Sequence, residues 1–295
     1  PAVTHSAFSS LLQALPQFRG KSRLVRPLLA VFTNREQETR IRTSTGLNYF
    51  LPNLLEPVSF SLFADGVFEP ETIEWISRLL QMRNERFQET SQIMLDIGAN
   101  IGCVSLPLLK RHPTLAVHAV EANPAICDYL RRNVSANDFA NRMTVHEMCL
   151  SDSDAEYRTF FALKDQFGKS SLTNPFGADG IRVRNSSLSR MVAGAGLPQV
   201  SLIKIDVEGF ESHVFESGAD LLSAETAPDI VFEFCDWAEQ LSGVEVGRAQ
   251  QILLDLGYSL FLMGNTTLTP LTDIRRKGFD MLLASKWCRG AHTLT

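Results

Sequence analysis

A short apolar run that ends in a glycine turn, Gln92 to Gly102, constrains the fold of this chain more than any other stretch. Its first six residues, through Ile97, have the length of a buried strand, and a helical pattern follows the turn. Gly98 permits a sharp turn and a close approach to a ligand, while Gly102 lets the helix begin close against the strand. The run therefore predicts strand, tight turn and helix, with the Asp96 carboxylate beside a turn that suits a polar ligand.

The spacing of glycines and acids around this turn indicates which ligand it suits. The glycines read G-x-x-x-G, whereas dinucleotide sites read G-x-G-x-x-G. The next apolar run, Leu115 to Val120, ends in Glu121. An acid at that place in a nucleotide-binding βαβ unit accepts hydrogen bonds from ribose hydroxyls. Turn and acid together predict an adenosine-type ligand.

Apolar runs of strand length alternate with helical patterns along most of the chain. Besides a short strand over 156–162, the strands predicted after the first two are 143–150, 200–205, 229–234, 258–263 and 279–284. This alternation is typical of an α/β protein with a doubly wound, mostly parallel sheet of seven strands and helices on both faces. The last two strands are expected to form a hairpin, because only a loop joins them.

Four acids are expected at the carboxyl ends of strands on one rim of this sheet: Asp96, Glu121, Asp206 and Glu233. In an open α/β sheet, ligands bind beyond these ends, where the strand order reverses. Lys204 lies in an otherwise apolar strand, so its ammonium group must either reach solvent or pair with an acid. Asp206 or Glu233 is the expected partner. The sequence thus predicts an acidic pocket at this rim.

Three stretches resemble a known family. Asp96 to Gly102 resembles motif I of class I S-adenosylmethionine-dependent methyltransferases, and Glu121 to Pro124 resembles their second motif. Ile203 to Glu211 is similar to the signature of the FkbM methyltransferase family, and it is long enough to name that family. The resemblance covers roughly residues 60 to 263.

The resemblance implies a Rossmann-like fold and S-adenosylmethionine as the cofactor. In this fold the loop after the third strand borders the adenine ring, which adds two residues by position alone, Ser151 and Asp152. The residues implied to bind the cofactor are Asp96, Gly98, Asn100, Gly102, Glu121, Asn123, Ser151, Asp152 and Asp206.

Asp206 and Glu208 are the candidate catalytic residues. Methyl transfer to an alcohol is an in-line displacement, and the hydroxyl must also lose its proton. If both carboxylates face the pocket, burial and mutual repulsion raise one pKa and make a better general base near neutral pH. The same pair with Glu233 offers the oxygen ligands of a hard divalent cation, although no spacing demands one and no metal site is predicted.

The residues after the fourth strand also favour a hydroxyl as the methyl acceptor. Methylation of planar nitrogens uses an Asn-Pro-Pro-Tyr type of motif there, whereas this chain has Asp206-Val207-Glu208-Gly209. The resemblance implies O-methylation of a sugar, a glycoside or a secondary metabolite, so a small molecule or a glycan is the expected partner. Two alternatives stay open: a nicotinamide-linked oxidoreductase, disfavoured by the missing third glycine, and a nucleotide-binding relative without methyl transfer.

Charge and composition bear on the partners. The 295 residues carry a net charge of −5 without a basic footprint, so nucleic acid is not expected as a partner. Five cysteines without a C-x-x-C pair indicate reduced, structural thiols, which fits a cytoplasmic chain. No apolar run reaches about 18 residues, so no membrane span is predicted. The sequence predicts no particular oligomeric state.

The expected division of the chain is an N-terminal extension over 1–58, a methyltransferase domain over 59–288 and a C-terminal tail over 289–295. A basic cluster lies within the extension and is read as part of a solvated arm; its members are Arg19, Lys21, Arg23 and Arg26. Residues 164–187 are rich in Gly, Ser, Asn and Pro and are expected to form a lid or a substrate-side loop.

Four further residues are singled out by their type and their place in the sequence. Gly66 to Glu69 resembles an element that family members carry before motif I. Contact of Glu69 with the ligand stays open, and a solvated acid at a helix start is the favoured interpretation. His213 is a possible base, but an exposed position on a helix is the favoured interpretation. Pro107 is expected to offset or bend the first turn of the helix after motif I. Ser189 stands where the family usually has an aspartate.

Overall fold

The computed structural model describes residues 2–15, 25–27, 38–163, 166–173, 177–288 and 292–293. Arg19, Lys21 and Arg23 of the predicted basic cluster lie outside these residues. The strands are β1 (Thr39–Arg42), β2 (Asn48–Leu51), β3 (Gln92–Ile97), β4 (Leu115–Glu121), β5 (Met143–Glu147), β6 (Cys149–Leu150), β7 (Tyr157–Phe161), β8 (Gly180–Ser186), β9 (Leu202–Ile205), β10 (Asp229–Cys235), β11 (Ser259–Met263), β12 (Thr267–Pro270), β13 (Phe279–Ser285) and β14 (His292–Thr293).

Several helices begin at a proline, whose fixed φ suits the first helical position. This holds for α2, α3 and α5. The helices are α1 (Ala2–Ala14), α2 (Pro57–Asp65), α3 (Pro70–Phe87), α4 (Ser105–Arg111), α5 (Pro124–Ala136), α6 (Leu188–Gly194), α7 (Glu211–Glu216), α8 (Ala219–Ser223), α9 (Asp236–Leu241) and α10 (Arg248–Asp255).

The central sheet confirms the predicted α/β fold class. Across the described residues its order is β14-β12-β11-β13-β10-β9-β3-β4-β5. The five strands from β10 to β5 are parallel, and β13 runs antiparallel to them. β11 pairs antiparallel with β13, so it runs in the direction of the five parallel strands. The expected pairing of the last two strands is thus present, although β12 lies between them along the chain. Strands β12 and β14 extend the predicted seven strands to nine. The chain leaves β3 toward β4 on one side and reaches β9 on the other, so the strand order reverses between β3 and β9.

Several element boundaries differ from the predicted ones for local reasons. The expected third strand over 143–150 divides into β5 and β6 at Met148, whose N–H donates to the carbonyl of Glu121. The helical segment between β9 and β10 consists of two helices, α7 and α8, which are separated at Ser217 and Gly218. Helix α4 begins only at Ser105, so that Pro107 falls in its first turn, which confirms the expected offset.

The sheet is buried on both faces, as expected for parallel strands between helices. Successive side chains of one strand point to opposite faces. Met94 accordingly packs in one apolar cluster with Trp75, while Leu95 packs in a second cluster with Phe215. All five cysteines are free and buried, as predicted. Among the described residues, no helix combines the length and apolarity needed to cross a bilayer.

The described part of residues 1–58 packs against the central fold. The hairpin of β1 and β2 joins helix α5 through Asn133, which is fully buried. The Asn133 amide oxygen accepts the N–H of Phe50 at 2.6 Å, and its amide nitrogen donates to the carbonyl of Ile101 at 3.0 Å. One side chain therefore connects the hairpin to the turn after β3. The predicted boundary between 58 and 59 falls inside α2.

A buried ion pair joins α3 to β10 and should dominate local stability. Arg83 is 2% exposed and contacts Asp229 at 3.1 Å and Glu89 at 2.8 Å. Arg83→Ala leaves the buried Asp229 carboxylate without its cation, so the free energy of unfolding should fall by about 3–5 kcal/mol in urea titration. Arg111→Ala, which removes an exposed partner of Glu74, should cost about 1 kcal/mol or less. Equal losses would contradict this account.

Candidate active site

A cavity opens at the carboxyl ends of the parallel strands, where the strand order reverses. Its floor is formed by residues that follow or end β3, β4, β9 and β10. Its walls come from the start of α2, from the residues before α3 and from the 166–173 segment. The residues that carry charge around it are Glu56, Glu69, Glu121, Lys169, Lys204, Asp206, Glu208 and Glu233.

The turn after β3 brings two strand ends into close contact. Gly98 has a φ of 78°, and a Cβ on it would lie 1.8 Å from the carbonyl oxygen of Asp206. The N–H groups of Gly98 and Ala99 both donate to the carbonyl of Val120. The sharp turn and close approach predicted for Gly98 are thus required here, although the approach is made by the backbone after β9.

Glu121 is held at the end of β4 by two backbone donors. Its Oε2 atom accepts the N–H of Asn100 at 3.0 Å, and its Oε1 atom accepts the N–H of Asn123 at 2.8 Å. Burial raises the pKa of Glu121, and these hydrogen bonds oppose that rise. Each carboxylate oxygen can accept a second hydrogen bond. Glu121 lines the cavity and offers that capacity to a ligand.

Four carboxyl groups form the acidic corner of the cavity, defined as Glu69, Asp206, Glu208 and Glu233. Single carboxylate oxygens of the last three lie within 4.8 Å of one another. Burial, and then the charge of Asp206, raises the pKa of Glu208 to about 8 and that of Glu233 to about 9. The same two causes raise the pKa of Glu69 to about 7. Three acids of the corner therefore have the proton affinities of bases that act near neutral pH.

Lys204 supplies positive charge from beneath the acidic corner. Its Nζ atom lies 3.5 Å from Asp206 and 3.7 Å from Asp96, and it donates to the carbonyl of Gly98 at 3.3 Å. Burial opposes the charge on Lys204, but the neighbouring acids raise its pKa overall. The predicted pairing with Asp206 is confirmed, whereas the second partner is Asp96 and not Glu233.

The turn after β9 explains why its residues form a specific signature. Glu208 has a φ of 55°, and Gly209 a φ of 94°. A Cβ on Gly209 would lie 2.3 Å from the carbonyl oxygen of Ala238. Glu211 is buried and accepts the N–H of Val207 at 3.0 Å, which closes the turn. The signature thus holds Glu208 in the cavity wall.

The family model for the methyltransferase FkbM domain matches residues 96–260, more than half of the chain. The chain belongs to the FkbM methyltransferase family. Its curated relatives include the methyltransferase sdnD of Sordaria araneosa, 25% identical over 200 residues that make up 58% of this chain and 75% of the relative. A tRNA wybutosine-synthesizing protein 2 homolog of Danio rerio is 36% identical over 67 residues, 23% of this chain and 16% of that protein.

Solved structures that are similar to this FkbM family member have low sequence identity to it. The precorrin-6y C5,15-methyltransferase of Geobacter metallireducens is 15% identical, with a TM-score of 0.42 over 76% of this chain and 92% of that one. TYW2 of P. horikoshii, solved in complex with MeSAdo, is 13% identical, with a TM-score of 0.44 over 90% of this chain and 80% of that one.

The structure brings five of the ten predicted site residues of this family member into the cavity lining. These are Gly98, Asn100, Glu121, Asp206 and Glu208. Asp96 is instead fully buried beneath the cavity, where its carboxylate accepts the Ser105 hydroxyl at 2.5 Å and faces Lys204. We expected the Asp96 carboxylate to lie beside the turn after β3. It is instead buried beneath that turn and supports it through Ser105 and Lys204.

The other four predicted residues lie near the cavity but are not among its described lining residues. Gly102 packs against Leu106 and Leu130, where it allows close helix contact. Asn123 is the buried N-cap of α5 and accepts the N–H of Ala125 at 3.1 Å. Their binding of the cofactor stays a prediction.

Ser151 and Asp152 follow β6, where position alone made them candidates. Ser151 is fully buried and hydrogen-bonds Asn185 at 2.8 Å, and Asp152 lies 3.1 Å from Nδ1 of His213. His213 lies on α7 but is only 20% exposed, so the expectation of an exposed histidine was wrong. The lining residues closest in sequence are Cys149 and Leu150, so the binding roles of Ser151 and Asp152 also stay predictions.

Glu69 is a cavity residue, in contrast to the favoured interpretation of its position. A solvated acid at the start of α3 was expected, but Glu69 is half-buried and lines the cavity. The Gly-x-aromatic-Glu pattern from Gly66 was the signal for it. The helix-start reading failed because Glu69 has a left-handed backbone, with φ 47° and ψ 57°, instead of a capping conformation.

The 166–173 segment covers one side of the cavity. Ser171 pairs with Phe161 through both backbone hydrogen bonds, at 2.9 and 3.3 Å. Its hydroxyl donates to the carbonyl of Glu208 at 3.4 Å. The expected loop over 164–187 therefore contributes to the cavity wall, although the residues immediately on both sides of this segment lie outside the described part of the chain.

Proposed function

We propose that this chain is an S-adenosylmethionine-dependent O-methyltransferase that acts on a hydroxyl of a sugar, a glycoside or a secondary metabolite. The observation that carries the proposal is the placement of Glu121 and the acidic corner on one cavity at the strand-order reversal. One end of this cavity suits a ribose, and the other holds carboxyl groups with raised pKa values. Membership of the FkbM methyltransferase family supports methyl transfer as the reaction.

The cofactor end is preorganised by the two turns that follow β3 and β4. Glu121 is fixed by two backbone N–H groups and retains acceptor capacity for the ribose hydroxyls. Gly98 and Asn100 line the same part of the cavity and leave backbone surface for the ligand. When bound there, S-adenosylmethionine supplies an electrophilic methyl group on a sulfonium that leaves as a neutral thioether.

The acceptor end supplies a base. As the new O–CH₃ bond forms and the S–CH₃ bond breaks, the hydroxyl proton passes to the Glu208 carboxylate. Asp206 stays paired with Lys204 and maintains the negative charge that raises the pKa of Glu208. The cavity walls would hold the acceptor hydroxyl next to the methyl donor, and exclusion of water would strengthen these interactions.

Isothermal titration tests the cofactor part of this proposal. We expect S-adenosylhomocysteine to bind with one site per chain and NAD to give no binding heat, because the third phosphate-approach glycine is missing. Binding of NAD alone would instead indicate the oxidoreductase alternative.

A methyl-transfer panel tests the acceptor part. Glycosides, macrolides, other hydroxylated metabolites and tRNA are incubated with methyl-labelled S-adenosylmethionine, and products are identified by mass spectrometry. We expect a methyl ether. A methylated nitrogen or carbon would contradict O-methylation, and cofactor binding without turnover across the panel would favour a relative that does not transfer methyl groups.

A further inference from the structure

Helix α1 is fixed against the rest of the fold by one of its faces. The Ser9 hydroxyl donates to the carbonyl of Phe63 at 2.7 Å, and the Gln13 amide oxygen accepts the N–H of Ser44 at 2.7 Å. Leu12 is buried in the apolar core. Residues three or four positions apart lie on the same face of a helix, so these contacts set the rotation of α1 about its axis.

A second face of α1 carries an exposed apolar stripe, defined as Phe8, Leu11 and Leu15. Leu11 is 61% exposed, Leu15 is 45% exposed and Phe8 is 37% exposed. Leu15 follows α1 directly, and its N–H continues the last turn by donating to the carbonyl of Leu12. Spacings of three and four place the three side chains on one side of the helix. Exposed apolar residues that line up in this way indicate an interaction surface.

The charge of the N-terminal part of the chain indicates the chemistry of the partner. Residues 1–35 contain five basic residues and no acid, whereas the remaining residues contain 33 acids against 23 basic residues. Of these five, Arg26 lies beside α2, where its Nη2 atom donates to the carbonyl of Leu55 at 2.8 Å and its guanidinium lies over the ring of Phe60. The other four enter the argument through their charge alone. The partner must therefore complement an apolar stripe together with positive charge.

An anionic lipid bilayer supplies both parts of that complement. Its acyl boundary takes up apolar side chains, and its negative surface attracts basic segments beside an amphipathic helix. Nucleic acid supplies negative charge, but its phosphates are contacted by basic and polar groups and do not require an exposed stripe of leucine and phenylalanine. A second copy of the chain would bring two basic segments of the same sign together.

We propose that the outer face of α1 docks onto the surface of an anionic lipid bilayer. The apolar stripe enters the interface, and the basic residues of 1–35 lie at the level of the head groups. This inference goes beyond the proposed function and does not depend on it. Helix α2 packs against α1 and lines the cavity with its first residues, so docking would hold one wall of the cavity close to the lipid.

Co-sedimentation of the full chain with lipid vesicles tests this inference. We expect binding to phosphatidylcholine vesicles that contain phosphatidylserine, and at least about tenfold weaker binding to phosphatidylcholine alone. Leu11→Ser combined with Leu15→Ser should weaken binding to the anionic vesicles at least about tenfold, because two apolar side chains no longer enter the interface. Leu241→Ser combined with Leu254→Ser, which replaces exposed leucines on α9 and α10, is the matched control and should bind unchanged.

Both pairs of leucines are exposed, so the thermal unfolding midpoints of the two double variants should agree, and the comparison reports binding and not folding. Equal binding by the two double variants would overturn the role of the stripe. Equal binding to both kinds of vesicle, or binding to neither, would overturn the anionic bilayer as the partner. Binding of tRNA without binding of vesicles would assign the basic segment to nucleic acid instead. A dimer of the unmodified chain that the α1 double variant dissociates would assign the stripe to a second copy and overturn the proposal as well.

Discussion

Replacement of Glu208 by glutamine is expected to lower kcat/KM for methyl transfer by about 100- to 10,000-fold, the range for loss of a general base. Glutamine keeps the size of the side chain but cannot accept the hydroxyl proton. The measurement is the steady-state rate with an acceptor identified in the panel. Glu225→Gln, an exposed substitution away from the cavity, should leave the rate unchanged.

The role of Glu208 as general base also predicts the direction in which kcat/KM changes with pH. Burial and the charge of Asp206 raise the pKa of Glu208 to about 8. Because only the ionised carboxylate can take a proton, kcat/KM should increase as the pH rises through about 8 and level off above it. This rise should be absent in Glu208→Gln. Asp206→Asn should move the midpoint to lower pH, because it removes a charge that raises the pKa of Glu208.

A rise that persists in Glu208→Gln would show that another carboxyl group accepts the proton. Glu233 would then be the next candidate, since it belongs to the same corner and burial raises its pKa to about 9. The pH profile of Glu208→Gln would then have its midpoint near pH 9, the pKa of Glu233, and not near pH 8, the pKa of Glu208.

Gly98→Ala is expected to be the most destabilising single-methyl substitution at the site. The new Cβ would lie 1.8 Å from the carbonyl oxygen of Asp206, and alanine disfavours a φ of 78°. Left-handed backbone costs about 1–2 kcal/mol and overpacking about 1–3 kcal/mol, so unfolding free energy should fall by about 2–5 kcal/mol. Denaturant titration measures this loss. Relief of the contact separates the ends of β3 and β9, so binding of S-adenosylhomocysteine should also be lost.

Gly196→Ala is the matched control for this substitution. Gly196 has a φ of 64°, but no described atom lies within 4 Å of the place of its Cβ. It should therefore lose only the conformational part, about 1–2 kcal/mol, and retain cofactor binding. If both alanine variants lost the same stability, the contact between the two strand ends would not be the constraint on Gly98.

The sheet and the family could be predicted because both are encoded in short contiguous patterns. Strands β3, β4, β9 and β10 are apolar runs that end in a turn or an acid, and the signature around Asp206 is continuous. Local chemistry also predicted the Lys204–Asp206 pair, because the two residues are two positions apart at the end of one strand.

The errors concern residues whose position depends on distant parts of the chain. Asp96 could not be placed beneath the turn without knowing that Ser105 and Lys204 meet it there. Glu69 reads as a helix-start acid unless its left-handed φ is known, and no residue pattern states that φ. The 166–173 segment, by contrast, was expected on the substrate side, and it lines the cavity through contacts with Phe161 and Glu208.

Asn133 links the hairpin of β1 and β2 to the carbonyl of Ile101, although the family match begins only at residue 96. A fragment cut at the limits of the family match would thus lose the partner of the Asn133 amide oxygen and leave a buried acceptor unpaired beside motif I. The matched part of the chain therefore depends on the hairpin outside the match to satisfy this buried acceptor. A chimera that transfers the matched part of this chain to another protein should therefore include the hairpin of β1 and β2.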